Sequence, residues 1–564
     1  MKIDWDVPIR MDDGLVLRAD VYRPDDGRHP VILSYGPYGK GLAFQEGYKT
    51  AWDIMARDYP DAVAGSSNRY QNWEVVDPEK WVPPGYACVR VDSRGAGRSP
   101  GYLCHNNARE TRDIYACIEW TAAQPWCSGK VGMNGISYYA SNQWRAATLK
   151  PPHLAAICVW EGWNDAYRES ARHGGIICSF RKNWQDMQVK TVQHGMGTRG
   201  KKNPNTGELV CGPETLSEDE LARNREDMWM AFLTREMDGA YYRERSADLS
   251  KLEVPLLTAA NWGGQGLHTR GNFEGYVRAA SPEKWLEVHG GSHWAPFYTD
   301  YGRKLQLAFF DHFLKGARNG WDKRARVQLN VRHPGEKYEL RQENEWPLAR
   351  TQWTRFYLEP NGMRLTPQSG AKGALTYDPM GAGLTFSMTA ERDTEITGPS
   401  AVKLFISSAT TDADLFVVLR VFDPGGKELL FQGALDPKTP IGQGWLRASH
   451  RKLDAELSRP YRPYHTHDEK QPLRPGEVVE LDIEIWPTCI VVPAGWRVAL
   501  TILGRDYEHD EAPASLSNMK YPMKGCGPFT HDDETDRPPQ IFGGKVTLHF
   551  ERQPYLLLPI IPPK

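Results

Sequence analysis

Residues 130–149 constrain the fold more tightly than any other stretch. Lys130-Val-Gly-Met-Asn-Gly-Ile-Ser137 begins as a strand, and Tyr138-Tyr-Ala-Ser-Asn-Gln-Trp144 continues as a helix to about Leu149, with only a tight turn between them. A serine on such a turn takes strained backbone angles, and a small neighbour such as Gly135 lets strand and helix approach each other. The turn lifts the Ser137 Oγ into a cleft, while the Tyr138 backbone N–H at the helix start faces a developing oxyanion. The G-x-S-x-G pattern is incomplete, because Tyr139 replaces the second glycine. Strand and helix context therefore carries the expectation that Ser137 is a nucleophile.

Around this turn, short apolar runs recur at α/β spacing: Val31–Ser34, Ala87–Val91, Leu154–Trp160, Val254–Ala259 and Trp285–Val288. Between two of them Ile114, Cys117, Ile118 and Ala122 share a helical face that Pro125 ends. Strands alternating with helices predict a largely parallel sheet covered on both sides. The opening residues read as a hairpin, Val7, Ile9 and Met11 turning at Asp12-Asp13-Gly14 into Leu15, Leu17, Ala19 and Val21. From 165 to 251 the sequence becomes charged and helical, with a capping box at Ser217 to Glu220 opening a helix toward Arg225, and a cap over the sheet is expected. Its Trp184, Trp229, Tyr241 and Tyr242 fit a core better than a substrate surface. A helix with Leu307, Phe310 and Phe313 on one stripe closes the α/β part. Beyond Arg326 the strands are short and alternating, as in Val402, Leu404 and Ile406, or Val479, Leu481, Ile483 and Ile485. At 564 residues the chain needs more than one core. The expected division is 1–164 with 252–320, a helical cap at 165–251, and an all-β jelly-roll sandwich at 321–564.

Composition narrows the partners. A net charge of -2 argues against nucleic acid or an anionic membrane surface and favours a compact small-molecule substrate. Nine scattered cysteines include no CxxC pair, so neither a disulfide framework nor a structural metal is expected, and nothing calls for a cofactor. The N-terminus lacks an apolar signal core, and no run approaches the ~20 apolar residues of a membrane span. A cytoplasmic location is expected, with homo-oligomerisation left open.

The chain resembles the cocaine esterase and X-Pro dipeptidyl-peptidase group, the CocE/NonD hydrolases. The likeness rests on Gly36-Pro37-Tyr38, Asp92-Ser-Arg-Gly-Ala-Gly-Arg-Ser99, Ile118-Glu-Trp120 with Gln124-Pro-Trp126, Gly132-Met-x-Gly-x-Ser-Tyr138 and Phe309-Phe-Asp-His-Phe-Leu-Lys-Gly316. It implies an α/β-hydrolase domain, a helical cap and a C-terminal jelly roll. It also implies that Tyr38, the tyrosine after the proline, donates its hydroxyl to the oxyanion.

A general base should follow a strand near the end of the α/β part. His293 does so, in the loop His289-Gly-Gly-Ser-His293-Trp294 after the strand Trp285–Val288, and it matches the family's G-x-x-H segment. Two glycines between His289 and His293 argue against a helical metal pair. Relatives carry the triad aspartate shortly after a tryptophan at the end of the penultimate strand. Here that segment reads Ala260-Asn-Trp262-Gly-Gly-Gln-Gly266, without a carboxylate. Some α/β-hydrolases outside the family, lipases and dehalogenases among them, place the acid after the strand that follows the nucleophile helix. Glu161, directly after Trp160, is the candidate acid. Asp165 is the alternative, although Asp165-Ala-Tyr-Arg168 reads as a helix cap; Asp92 reads as a brace for its glycine-rich turn.

Ester hydrolysis through an acyl-enzyme is the leading expectation, and amide or peptide hydrolysis by the same groups is the second. A binding scaffold that has lost catalysis is the third, since the usual aspartate is missing. Trp163 and Trp294 are candidate pocket residues.

Overall fold

The computed structural model describes residues 1–368 and 370–563. Its first sheet has ten strands in the order Lys2–Arg10, Val16–Arg23, Ala87–Asp92, His29–Gly36, Cys127–Ile136, Leu154–Trp160, Leu256–Asn261, Lys284–His289, Val327–His333 and Lys337–Glu343. Pairing is parallel from Ala87–Asp92 through Val327–His333. The opening hairpin and the last strand add antiparallel edges. Burial explains the composition of the central strands: every residue of Ala87–Asp92 and of Leu256–Asn261 is buried, as a parallel sheet covered on both faces requires. The helix Ala108–Ala122 buries the predicted Ile114, Cys117, Ile118 and Ala122.

Strands expected to open the second unit belong instead to the first sheet. Leu286, Glu287 and Val288 pair with Val327, Gln328 and Leu329, and the hairpin to Glu343 follows, so the sheet runs past residue 320. The run 327–333 is the last parallel strand and has both faces covered, with Val327, Leu329 and Val331 on one of them. Alternation along the sequence does not reveal which sheet a strand joins.

Eleven strands from 352 to 561 form the second sheet. It closes on itself, because Tyr555–Ile561 pairs with both Gln352–Glu359 and Thr394–Ser408. Leu404, Ile406, Leu481, Ile483 and Ile485 point into its core at the predicted period of two.

Between the sheets, residues 165–251 form short helices such as Phe180–Trp184, Glu218–Arg223, Met228–Leu233 and Ala240–Arg245. The capping box at Ser217 and Glu220 is present, and its helix stops at Arg223. Trp184 and Tyr242 are fully buried, and Trp229 nearly so. Buried polar ties bind this segment to the long loop between the strands Arg497–Leu503 and Val546–His549 of the closed sheet: Arg172 pairs with Asp536 at 2.6 Å, and the His173 and His531 rings hydrogen-bond at 2.8 Å. All nine cysteines are free thiols, and eight are buried. Among the described residues no helix is long and apolar enough to cross a membrane.

Candidate active site

Ser137 ends its strand with φ 58° and ψ −110°, and Tyr138 starts the helix Tyr138–Thr148. Holding a serine at such angles costs on the order of 1–3 kcal/mol, which the surroundings must offset. They do so through its own amide, which donates to the Trp160 and Glu161 carbonyls at 3.2 and 3.1 Å. Tyr139, which breaks the glycine pattern, is accommodated by glycines on its neighbours. A Cβ at Gly135 would lie 2.4 Å from the Tyr139 Cβ, and one at Gly36 2.5 Å from its ring.

Glu161 and Glu74 share with Ser137 a positive φ, 50° and 66° respectively. The three converge around His293. The carboxylate of Glu161, Oε2, lies 2.7 Å from His293 Nδ1, and Glu74 Oε1 lies 2.9 Å from Nε2. Burial alone would disfavour the His293 cation, but the two carboxylates outweigh it and push the imidazole up to about 10. Glu161 is buried too, yet His293 and His289 hold it below the ordinary carboxylate range. Glu74 goes the other way: desolvation raises it to about 7, only partly countered by His293.

The hydrogen bond expected between His293 and Ser137 is not the one formed. Ser137 Oγ meets His268 Nε2 at 3.1 Å, and the His268 ring stacks on His293 with centroids 5.2 Å apart. Charge-assisted bonds to Glu161 and Glu74 are stronger than a bond to a neutral hydroxyl, which explains the preference. The Trp163 backbone N–H donates to His268 Nδ1 at 3.2 Å, so the proton of a neutral His268 sits on Nε2 and points at Ser137. Burial, with the His293 and Arg181 charges nearby, keeps His268 neutral by lowering its pKa well below the usual histidine value.

Ser137, His268, His293 and Glu74 open onto one narrow cavity with Tyr38, Trp73, Phe180, Trp184, Leu267, Leu435, Met519 and Phe529. Tyr38 accepts the Trp184 indole N–H at 2.9 Å, which leaves its own hydroxyl proton to donate. Burial and Glu74 keep that phenol protonated by raising its pKa well above 10. Trp163 and Trp294, expected in the pocket, stand behind its wall. Trp294 donates to the Ala51 carbonyl at 3.0 Å, and the Trp163 ring packs against Arg145 and Arg181. Asp165, the alternative acid, accepts the Tyr167 and Arg168 amides and pairs with the Arg168 guanidinium at 2.9 Å. Asp92 accepts the Lys40 and Arg98 amides at 2.6 and 2.8 Å and braces its turn.

The two positions directly after Trp262 have no room for a side chain. A Cβ on Gly263 would lie 2.6 Å from the Gln432 carbonyl oxygen, and one on Gly264 2.5 Å from Thr269 Oγ1. Asn261, at the end of that strand, instead turns its Nδ2 to Glu161 Oε1 at 3.2 Å.

Glu74 and His268 were not foreseen. Glu74 lies in an irregular loop with no motif around it. His268 lies in the loop after the strand Leu256–Asn261, where the family resemblance implies a carboxylate rather than an imidazole.

A family model described as X-Pro dipeptidyl-peptidase (S15 family) matches residues 13–295, and the X-Pro dipeptidyl-peptidase C-terminal non-catalytic domain matches 319–518. A CocE/NonD family hydrolase from Staphylococcus aureus superposes with a TM-score of 0.84 at 31% identity, over 99% of this chain and 94% of that one. The chain belongs to the CocE/NonD hydrolase family. Within that family it is 25% identical to a cocaine esterase from Rhodococcus, covering 75% of this chain and 81% of the relative. It is 20% identical to an Xaa-Pro dipeptidyl-peptidase from Lactobacillus delbrueckii, covering 78% of this chain and 62% of the relative. CocE/NonD membership makes the chain an enzyme of hydrolytic chemistry.

Proposed function

We propose that this enzyme hydrolyses carboxylic esters through an acyl-enzyme on Ser137, with His293 as base and Glu161 as the acid that orients it. The observation that carries the proposal is the 2.7 Å contact from Glu161 Oε2 to His293 Nδ1, beside the strained Ser137 in one cavity. In the resting state His293 is a cation between two carboxylates. Once it has lost its Nε2 proton, the imidazole takes the Ser137 proton during attack and returns it to the leaving group, and Glu74 Oε1, 2.9 Å from Nε2, sets the pH at which that proton leaves. His268 holds Oγ by donating to it. The Tyr38 hydroxyl and the Tyr138 N–H stabilise the oxyanion.

Peptide or amide hydrolysis is the second reading, and one observation favours it. Glu74 Oε2 is buried without a well-formed hydrogen bond, in a carboxyl group that lines the cavity, where a substrate ammonium would find a partner. Residues 165–251 act as a cap over the cavity, the closed C-terminal sheet is a jelly roll, and the enzyme works in the cytoplasm on small molecules.

Fluorophosphonate labelling tests the nucleophile. Labelling is expected at Ser137 and is lost in Ser137→Ala; persistent labelling of that variant would reject the assignment. Matched p-nitrophenyl esters and aminoacyl anilides then rank the two substrate classes.

A further inference from the structure

Behind Glu161 the polar contacts continue. The second oxygen of Glu161, Oε1, meets His289 Nε2 at 3.0 Å, and His289 Nδ1 meets Glu287 Oε2 at 2.7 Å. Glu287 and His289 lie two apart on the strand Lys284–His289, so both project from the same face of the sheet. Glu287 Oε1 in turn accepts from the Tyr301 hydroxyl at 2.9 Å and from Asn330 Nδ2 at 3.1 Å. The result is an unbroken buried chain, Glu287, His289, Glu161, His293, Glu74, in which carboxylates and imidazoles alternate. Each member is at most 4% exposed.

Resting on the assignment of Glu161 as the acid, we infer that His289 is a positioning residue for the reaction: it fixes the Glu161 carboxylate and compensates its charge. A carboxylate sealed away from water needs both services, and in this chain solvent supplies neither. One Glu161 oxygen is committed to His293, and His289 with Asn261 binds the other, so the carboxylate cannot turn. His289 is itself held in plane by the Trp160 indole, stacked at 4.9 Å, and is kept charged by Glu287 and Glu161, which push it up to about 9 against the cost of burial. An acid at the end of Leu154–Trp160 is therefore served by a buried cation as well as by the base it orients.

The groups facing this relay fix the sign of the effect. His293 faces Glu161, Glu74 and the neutral His268, with the Arg181 charge beyond His268; His289 faces Glu161 and Glu287; Tyr301 faces Glu287. His289 repels the His293 cation, so removing its charge raises the His293 pKa. The rising limb of the pH profile of kcat/KM then moves to higher pH.

The test compares His289→Ala and His289→Gln with Glu161→Gln, using a p-nitrophenyl ester. His289→Ala is expected to lower kcat about tenfold or more with KM unchanged, short of the roughly 10²–10⁴-fold effect of losing a general base itself. Its rising limb moves up. His289→Gln keeps a donor for Glu161 but no charge, so it recovers part of kcat while retaining the shifted limb. It also carries the test if the alanine variant does not fold. A lowered thermal midpoint with kcat and limb unmoved in both variants would overturn the inference and make His289 merely structural. Full activity in Glu161→Gln would instead overturn the triad on which the inference stands.

Discussion

Glu74 decides how the site titrates. In the proposed mechanism His293 works as a base only when neutral, and Glu161 and Glu74 together hold its pKa near 10 against the cost of burial. Replacing Glu74 by glutamine takes away one of the two anions, lowers the His293 pKa and moves the rising limb of kcat/KM to lower pH, by about one unit for a charge at this range. This is the opposite direction from the His289 variants, so the two sets together locate the titrating imidazole. An unmoved limb in Glu74→Gln would mean that His293 is not the base. That Ser137 and His293 share one cavity was legible in the sequence because each follows a strand in a short glycine-containing stretch. Glu161 was legible because the strand before it ends abruptly in a charge. Glu74 and His268 were not, because their roles arise from loops far apart in sequence that meet only in space.

At the level of elements, the loop after Trp262 and the 432–436 loop of the closed sheet are interlocked. Ala434 N–H donates to the Gly263 carbonyl, and His293 N–H donates to the Ala434 carbonyl, both at 2.8 Å. Gly263→Ala would force its new methyl against the Gln432 carbonyl and Gly433, an overpacking that typically costs about 1–3 kcal/mol. A lower thermal midpoint and slower fluorophosphonate labelling are expected together, because the displaced loop also anchors the backbone of His293. Gly239→Ala, whose nearest neighbour would be 3.9 Å away, serves as the control and should leave labelling unchanged. Apolar periodicity predicted the strands and the helix at 108–122 well, since one residue face reports one burial environment. It could not place the strand Val327–His333, because partner choice is a property of the whole sheet.

For the molecule as a whole, the closed C-terminal sheet and its loops form part of the wall of the cavity that holds Ser137. Leu435, Met519 and Phe529 face Ser137 across it, while Arg172 with Asp536 and His173 with His531 fasten the intervening segment to the same region. After denaturation, recovery of labelling should therefore trail recovery of far-UV secondary structure; simultaneous recovery would show that the α/β part completes the site alone. The same arrangement bears on how the protein is made. A nascent chain has released Glu74, Ser137, Glu161 and His293 long before it makes Leu435, Met519 and Phe529. Through that interval the groups around Ser137 stand on an unfinished surface, and the cavity closes only when the later wall arrives.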